Sequence, residues 1–347
     1  MAEPLRFGVI GSGFMGQTWA RVIARHVPEA TLVAVGGGRG AADVAREHGA
    51  EAREPHELIA RDDIDAVVVA TPVPTHRPLA EAAARAGKHV IVEKPMTNTR
   101  ADADAMVATA DANGVRLAVV SQHRFRGAPM AAKALIDSGR IGTIRMIRIF
   151  GPNAGWDIPA GSWNSDRAQV SPYMDWGAHA CDIIRWLTGA EATLVFAQFG
   201  TYTDIPPADQ SSMALYTLDN GVLVQIWLTY ELAAPPLGSA MQLLITGSDG
   251  IIELDSYGSV RVGTPDGGWE TAFEQPPFDP LDPEDSIRLQ AYAAQLRDLI
   301  TAVAEGRDPQ VSGRQGAATT SWLEAAEQSA ATGESIRLSL GSVSHAP

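Results

Sequence analysis

Six residues near the start of the chain, Gly11-Ser12-Gly13-Phe14-Met15-Gly16, restrict its architecture more than any other segment. They stand between an apolar run, Leu5–Ile10, that reads as a buried strand and a stretch, Phe14–His26, that reads as a helix. A chain that passes at once from strand to helix needs Gly11 for the tight turn and Gly13 so that backbone can approach a pyrophosphate. It needs Gly16 so that the helix can pack on the sheet. The helix N-terminus adds free N–H groups and the positive end of a dipole. The spacing predicts a dinucleotide site at Gly11, Gly13, Phe14, Met15 and Gly16.

The segments that follow agree with that turn. Thr31–Val35, Ala66–Ala70, His89–Val92 and Arg116–Val120 read as strands, separated by helical patterns at Ala41–His48, Pro78–Ala86 and Ala101–Ala112. Strands alternating with helices of this length build right-handed βαβ units and a parallel sheet covered on both faces. Beyond residue 140 the pattern changes. Ile144–Phe150, Ala192–Phe199, Ser211–Leu218, Val222–Thr229, Ala240–Thr246, Ile251–Leu254 and Ser259–Val262 read as strands, several joined by turns such as Asp219-Asn220-Gly221. That spacing predicts a mostly antiparallel sheet. Two helical patterns, Ser286–Ala304 and Gly316–Ala331, close the chain. The expected fold class is α/β, with a dinucleotide-binding domain over 1–122 and a substrate domain over 123–347 whose final helix returns to the first.

Composition narrows the function. The 347 residues are 45% apolar, enough for two cores. Against 27 Lys and Arg stand 41 Asp and Glu, a net charge of −14 that argues against nucleic acid. Residues 1–150 hold 19 basic against 16 acidic side chains and the remainder 8 against 25, which fits a front half that handles an anionic ligand. A single cysteine, Cys181, excludes an intramolecular disulfide and a multi-cysteine zinc site; no metal is expected. No apolar run reaches the roughly 18 residues of a membrane span, and Met1–Arg6 lacks a signal-peptide pattern, so the expected location is the cytoplasm.

Three further clusters bear on chemistry. At the end of the second strand, where an acidic residue would read a ribose 2′-OH, the chain has Gly36-Gly37-Gly38-Arg39. The missing carboxylate removes the usual repulsion of a 2′-phosphate and Arg39 suits one, which favours NADP over NAD. Glu93-Lys94-Pro95 follows the strand His89–Val92, and Thr71-Pro72, with His76 beyond, ends the strand Ala66–Ala70. Ligands bind beyond the carboxyl ends of such strands. Finally, Asp175, His179 and Asp182 stand at i, i+4 and i+7, on one face of a helix. A carboxylate beside a histidine sets its tautomer and supports the imidazolium, as a general base requires.

The glycine turn, Thr71-Pro72 with His76, Glu93-Lys94-Pro95 and Asp175-x-Gly177-x-His179-x-x-Asp182 together resemble the Gfo/Idh/MocA oxidoreductases, in an order and spacing that run through nearly the whole chain. The resemblance implies a Rossmann domain followed by an α/β domain on an open sheet, whose outer face makes an oligomer interface, here a homodimer or homotetramer. It matches Lys94 to the lysine that contacts nicotinamide and substrate hydroxyl, and Asp175 and His179 to the other two catalytic positions. Two places depart from the family pattern: Val170–Met174 replaces a glycine run before the catalytic Asp, and Val73-Pro74 stands where many members carry Asn.

The reaction expected is hydride transfer between NAD(P) and a secondary alcohol of a sugar, cyclitol or related ring. His179 would take the hydroxyl proton, Asp175 bind substrate or tune His179, and Lys94 polarise the oxygen or relay the proton. The cofactor contacts expected are the glycine turn, Arg39, Thr71, Pro72, His76, Glu93 and Lys94; the substrate contacts are Arg124, Trp156, Trp163, Arg167, Asp175 and His179. Were Arg124 or Arg167 to bind a carboxylate, the substrate would instead be a carboxylated cyclic dihydrodiol. A redox-neutral NAD-dependent lyase or glycosidase is the other alternative, marked by cofactor that does not exchange.

Overall fold

The computed structural model describes residues 3–154, 162–204, 206–232 and 239–339. The chain divides into two compact units, residues 1–122 with 278–320 and residues 123–277 with 321–347. The α/β class expected from the sequence holds, with one parallel and one largely antiparallel sheet.

The first unit is built on six parallel strands, β1 (Leu5–Ile10), β2 (Ala30–Gly36), β3 (Glu51–Arg53), β4 (Ala66–Val69), β5 (His89–Val92) and β6 (Leu117–Val119), in the order 3-2-1-4-5-6. Between them run α1 (Phe14–Arg25), α2 (Ala41–Glu47), α3 (Pro55–Ile59), α4 (His76–Arg85) and α5 (Arg100–Ala112). β4 is buried throughout and β1 over its last four residues, as a sheet covered on both faces demands. The register decides where chemistry can occur. Ile10 pairs with Gly36 on one side and Val69 on the other, and Val69 pairs with Val92. The glycine turn, Gly36–Arg39, Thr71-Pro72 and Glu93-Lys94-Pro95 therefore all leave the sheet at one edge. The strand order reverses between β1 and β4, which opens a crevice there.

In the second unit α6 (Gly127–Asp137), β7 (Ile144–Ala154) and α7 (Pro172–Thr188) precede β8 (Ala192–Gly200), β9 (Ser211–Leu218), β10 (Leu223–Leu232), β11 (Gln242–Gly247), β12 (Ile251–Asp255), β13 (Ser259–Thr264) and β14 (Gly268–Glu274). With the short C-terminal β15 (Ile336–Arg337) they form a nine-stranded sheet ordered 14-13-12-11-7-10-9-8-15. Among the described strands of this sheet, only β7 and β10 pair in parallel. The inner face is apolar and buried, with Ile147, Ile149, Val224, Ile226, Ala214 and Tyr216. On the opposite face Met146, Met213, Leu215 and Leu223 remain 51–55% exposed.

The second compact unit does not take in everything after residue 122. The helix α8 (Ser286–Glu305) lies wholly in the first unit, and the boundary falls inside α9 (Gly313–Thr332). Leu289, Tyr292, Leu296 and Leu299 of α8 join the core of Trp19, Val22 and Ile23, with the Tyr292 ring edge-on to Trp19 at 5.4 Å. Gln295 then satisfies backbone beyond the core, donating to Val119 O at 2.8 Å and accepting from Ser121 N at 3.1 Å.

His89, at the start of β5, accepts the backbone N–H of Arg116 on Nδ1 at 2.9 Å, a bond only the unprotonated ring can make. Burial, with the Arg116 charge beside it, holds its pKa below the ordinary 6.5; burial does the same for His26, His48 and His76. Below pH 6.5 the unfolded chain gains protons that the folded chain refuses, so stability falls as the pH drops. Urea titrations at a series of pH values should show that decline. His89→Gln, which keeps an acceptor but cannot titrate, should make it shallower, and an unchanged slope would place the titrating group elsewhere.

Candidate active site

In the first unit, the glycine turn is set by two close backbone approaches. A Cβ on Gly16 would lie 2.0 Å from Gly11 O, and one on Gly11, whose φ is +119°, would lie 2.0 Å from Ala70 O. Neither position admits a side chain. Gly13 differs: it caps α1 at φ −75° and a Cβ there would meet nothing within 4 Å. The protein's own packing does not require glycine at 13, whereas a pyrophosphate approaching the helix N-terminus does. No acidic residue lies in the first turn of α1 to oppose an anion. Ser12 Oγ accepts the backbone N–H of Gly40 at 3.1 Å and so ties the turn to the loop that carries the exposed Arg39. A nicotinamide dinucleotide therefore fits these residues.

At the next strands the polar groups fall into two kinds. Thr71, Pro72 and Lys94 are half-buried at the sheet edge. Glu93 and His76 are buried and act as struts. The Trp19 indole N–H donates to Glu93 Oε1 at 2.8 Å, and the Lys94 backbone N–H donates to Oε2 at 3.2 Å, so Glu93 fixes the Lys94 turn through its backbone. His76 is fully buried, with Nε2 2.7 Å from Thr71 O and Nδ1 3.1 Å and 3.3 Å from Pro95 O and Met96 O. The ring, expected from the sequence as a cofactor contact, joins the loop after β4 to the loop after β5. Trp19, whose role no motif marks, is the residue that sequence reasoning missed here.

The second unit supplies α7. Ser171 caps it, accepting the Met174 N–H at 3.0 Å, and Pro172 follows at the first helical position. From Ser171 to Arg185 every residue is buried except Asp175 and His179. Asp175 lines an open cleft with Asn164, Val170, Ser171, Pro172, Pro207 and Tyr230. The Tyr230 phenol is pushed well above its ordinary pKa by burial and then by the Asp175 charge. His179 packs against His123, ring centroids 4.8 Å apart at 67°.

Both arginines expected to read substrate are engaged. Arg124 is buried and donates to Asp182 from Nε at 2.8 Å and from Nη2 at 2.6 Å, forming an internal ion pair. Arg167 pairs with Asp209 and Glu327. Glu327 also accepts the Ser171 hydroxyl, and burial pushes its carboxyl above the ordinary range. Trp163, 37% exposed, opens a short turn ahead of the cleft residue Asn164. Trp156 lies outside the described residues.

Residues 5–121 match the model of an oxidoreductase family with an NAD-binding Rossmann fold, and residues 130–253 match the GFO/IDH/MocA C-terminal domain. The chain belongs to the Gfo/Idh/MocA oxidoreductase family. It is similar to inositol 2-dehydrogenase 2 of Saccharopolyspora erythraea, 31% identical over 95% of this chain and 94% of that one. Its identity to D-apiose dehydrogenase of Paraburkholderia graminis is also 31%, over 82% of this chain and 76% of that one. Among solved structures, GenD2 from gentamicin A biosynthesis in complex with NAD superposes with a TM-score of 0.83 at 26% identity, covering 98% of this chain and 97% of that one. The resemblance read from the motifs is thus borne out, as is the expected class, an NAD-dependent dehydrogenase. No helix among the described residues is long and apolar enough to cross a membrane.

The contrast among the glycines is testable. Gly13→Ser, which installs a favoured cap, should leave the unfolding free energy within about 0.5 kcal/mol while weakening NADH and NADPH binding at least about tenfold. Gly16→Ala should instead cost roughly 1–3 kcal/mol of stability. Undiminished nucleotide binding by the Gly13 variant would refute the cradle.

Proposed function

We propose that the protein oxidises a secondary alcohol of an uncharged cyclic polyol, a cyclitol or sugar, with NADP preferred over NAD. The observation that carries the substrate class is the pattern of charge around α7. Asp175 and His179 are its only incompletely buried residues from 171 to 185, while Arg124 and Arg167 are already held by protein carboxylates. A neutral polyol asks for hydroxyl acceptors and a base; a carboxylated dihydrodiol asks for a cation, and neither arginine is at liberty to supply it. The activities named for the relatives, on inositol and on D-apiose, support the same class.

The residues take distinct roles. His179 accepts the hydroxyl proton, a positioned base contributing about 10²–10⁴-fold. Asp175 accepts hydrogen bonds from substrate hydroxyls, and Lys94 polarises the reacting oxygen. Trp163 shapes the entrance to the cleft. The N–H groups of Gly13, Phe14 and Met15 hold the pyrophosphate, and Thr71, Pro72 and Lys94 border the nicotinamide. Bound nicotinamide supplies the hydride acceptor. Arg39, exposed beside three glycines with no carboxylate among them, pairs with the 2′-phosphate. The apolar outer face of the nine-stranded sheet is covered by a second copy, giving a homodimer or homotetramer.

Titration with NADPH and NADH, followed by an assay of inositols and aldoses as hydride donors, tests this reading. NADPH should bind more tightly, and Arg39→Glu should weaken it by on the order of 10- to 100-fold, the worth of a charge-assisted hydrogen bond. Lys94→Ala should lower kcat by about 10²–10⁴-fold and leave cofactor affinity within a few-fold. Retained NAD that does not exchange, with turnover needing no added cofactor, would overturn it in favour of redox-neutral chemistry.

A further inference from the structure

His123 has no part in the reaction as assigned, yet it is closely held on several sides. It lies in the one-turn segment Gln122–Phe125 and is 1% exposed. Its Nδ1 is 2.6 Å from Ser256 Oγ, and Ser256, also buried, is fixed in turn by its N–H to Met241 O at 3.0 Å. Tyr257 packs edge-on against the imidazole at 5.4 Å, and the Arg126 guanidinium covers the Tyr257 ring at 4.3 Å. A second ring packs on the same imidazole, that of His179.

The backbone beneath this contact is clamped. Arg124, the next residue, is locked bidentately to Asp182, three residues beyond His179 on α7. Two adjacent residues of the turn thus grip two neighbouring positions of the helix. The geometry points to His123 as the positioning residue for His179, fixing the orientation of its ring and ensuring that it alone of the two imidazoles carries the proton. This rests on the reading of His179 as the base.

Two imidazoles 4.8 Å apart in a mostly buried contact do not both charge cheaply. The groups around the pair decide which one does. Arg126 stands behind Tyr257 on the His123 side and disfavours a second cation there. On the other side Asp175 lies one turn from His179 on the same helix face and favours its imidazolium. Asp182 is engaged by Arg124, and Tyr230 is a neutral phenol. A proton lifted from a substrate hydroxyl therefore settles on His179, in a ring that cannot swing away.

The test is an NMR titration of the His123 and His179 imidazoles in the full chain, for wild type, His123→Phe and Ser256→Ala, alongside kcat and KM. In wild type His179 should titrate while His123 stays neutral over the same range. His123→Phe keeps a ring but removes the bond to Ser256, and kcat should fall roughly 10- to 100-fold from lost orientation. Cofactor affinity should not move. Ser256→Ala, which frees the His123 ring without deleting it, should lower kcat by less and let His123 titrate alongside His179. A His123 that titrates together with His179 in wild type, or a kcat within about twofold of wild type in both variants, would overturn the proposal. A neutral His123 beside a titrating His179 in a protein that turns over no polyol would uphold the pairing and sink the proposed function instead.

Discussion

The close approach of Gly16 to Gly11 O is the constraint from which the rest of the first unit follows. With no side chain between them, α1 starts immediately beyond β1 and its N-terminal N–H groups face the sheet edge. The same lack of a side chain at Gly11, against Ala70 O, draws the ends of β1 and β4 together. Because Ile10, Val69 and Val92 share one register, fixing that one turn also fixes where Thr71 and Lys94 emerge. The edge at which these segments emerge is thus a consequence of backbone sterics, and the side chains are added to a surface already in place.

Buried polar groups then turn loops into fixed positions. Trp19 holds Glu93, His76 spans carbonyls of two loops, and Gln295 from α8 closes the end of β6. None of these is needed for hydrophobic cohesion, and burying a carboxylate costs several kcal/mol unless hydrogen bonds offset it. What they contribute is geometric: each replaces a mobile loop by one conformation, as a site aligned to within about half an ångström requires. The Arg124–Asp182 pair does the same for the second unit, joining the turn that carries His123 to the helix that carries His179.

What could be read beforehand follows from range. The parallel sheet was legible because β1, β4 and β5 are apolar runs with punctuation in the sequence itself. The strands β3 and β14 escaped notice because nearly every residue in them is exposed, leaving no alternation to detect. The spacing of Asp175 and His179 is local, so the shared helix face could be inferred. Asp182 lies 58 residues from Arg124, and nothing local in either segment announces that they meet. For the same reason α8 carries an evident helical pattern but no sign of which core it will join, and His123 no sign of Ser256, 133 residues away.

The uneven charge of the chain acquires a meaning only with these pairings. A second half with 8 basic and 25 acidic residues has few cations to deploy. Of these, Arg167 is drawn onto Asp209 with Glu327 and Arg185 onto Glu191, while Arg124, from the first half, is drawn onto Asp182. The cleft beside α7 is therefore lined by a carboxylate, Asp175, and a phenol, Tyr230, groups that accept from and donate to hydroxyls. Anionic chemistry is concentrated instead in the first unit, where a helix N-terminus without acidic residues and an exposed Arg39 suit the cofactor's phosphates.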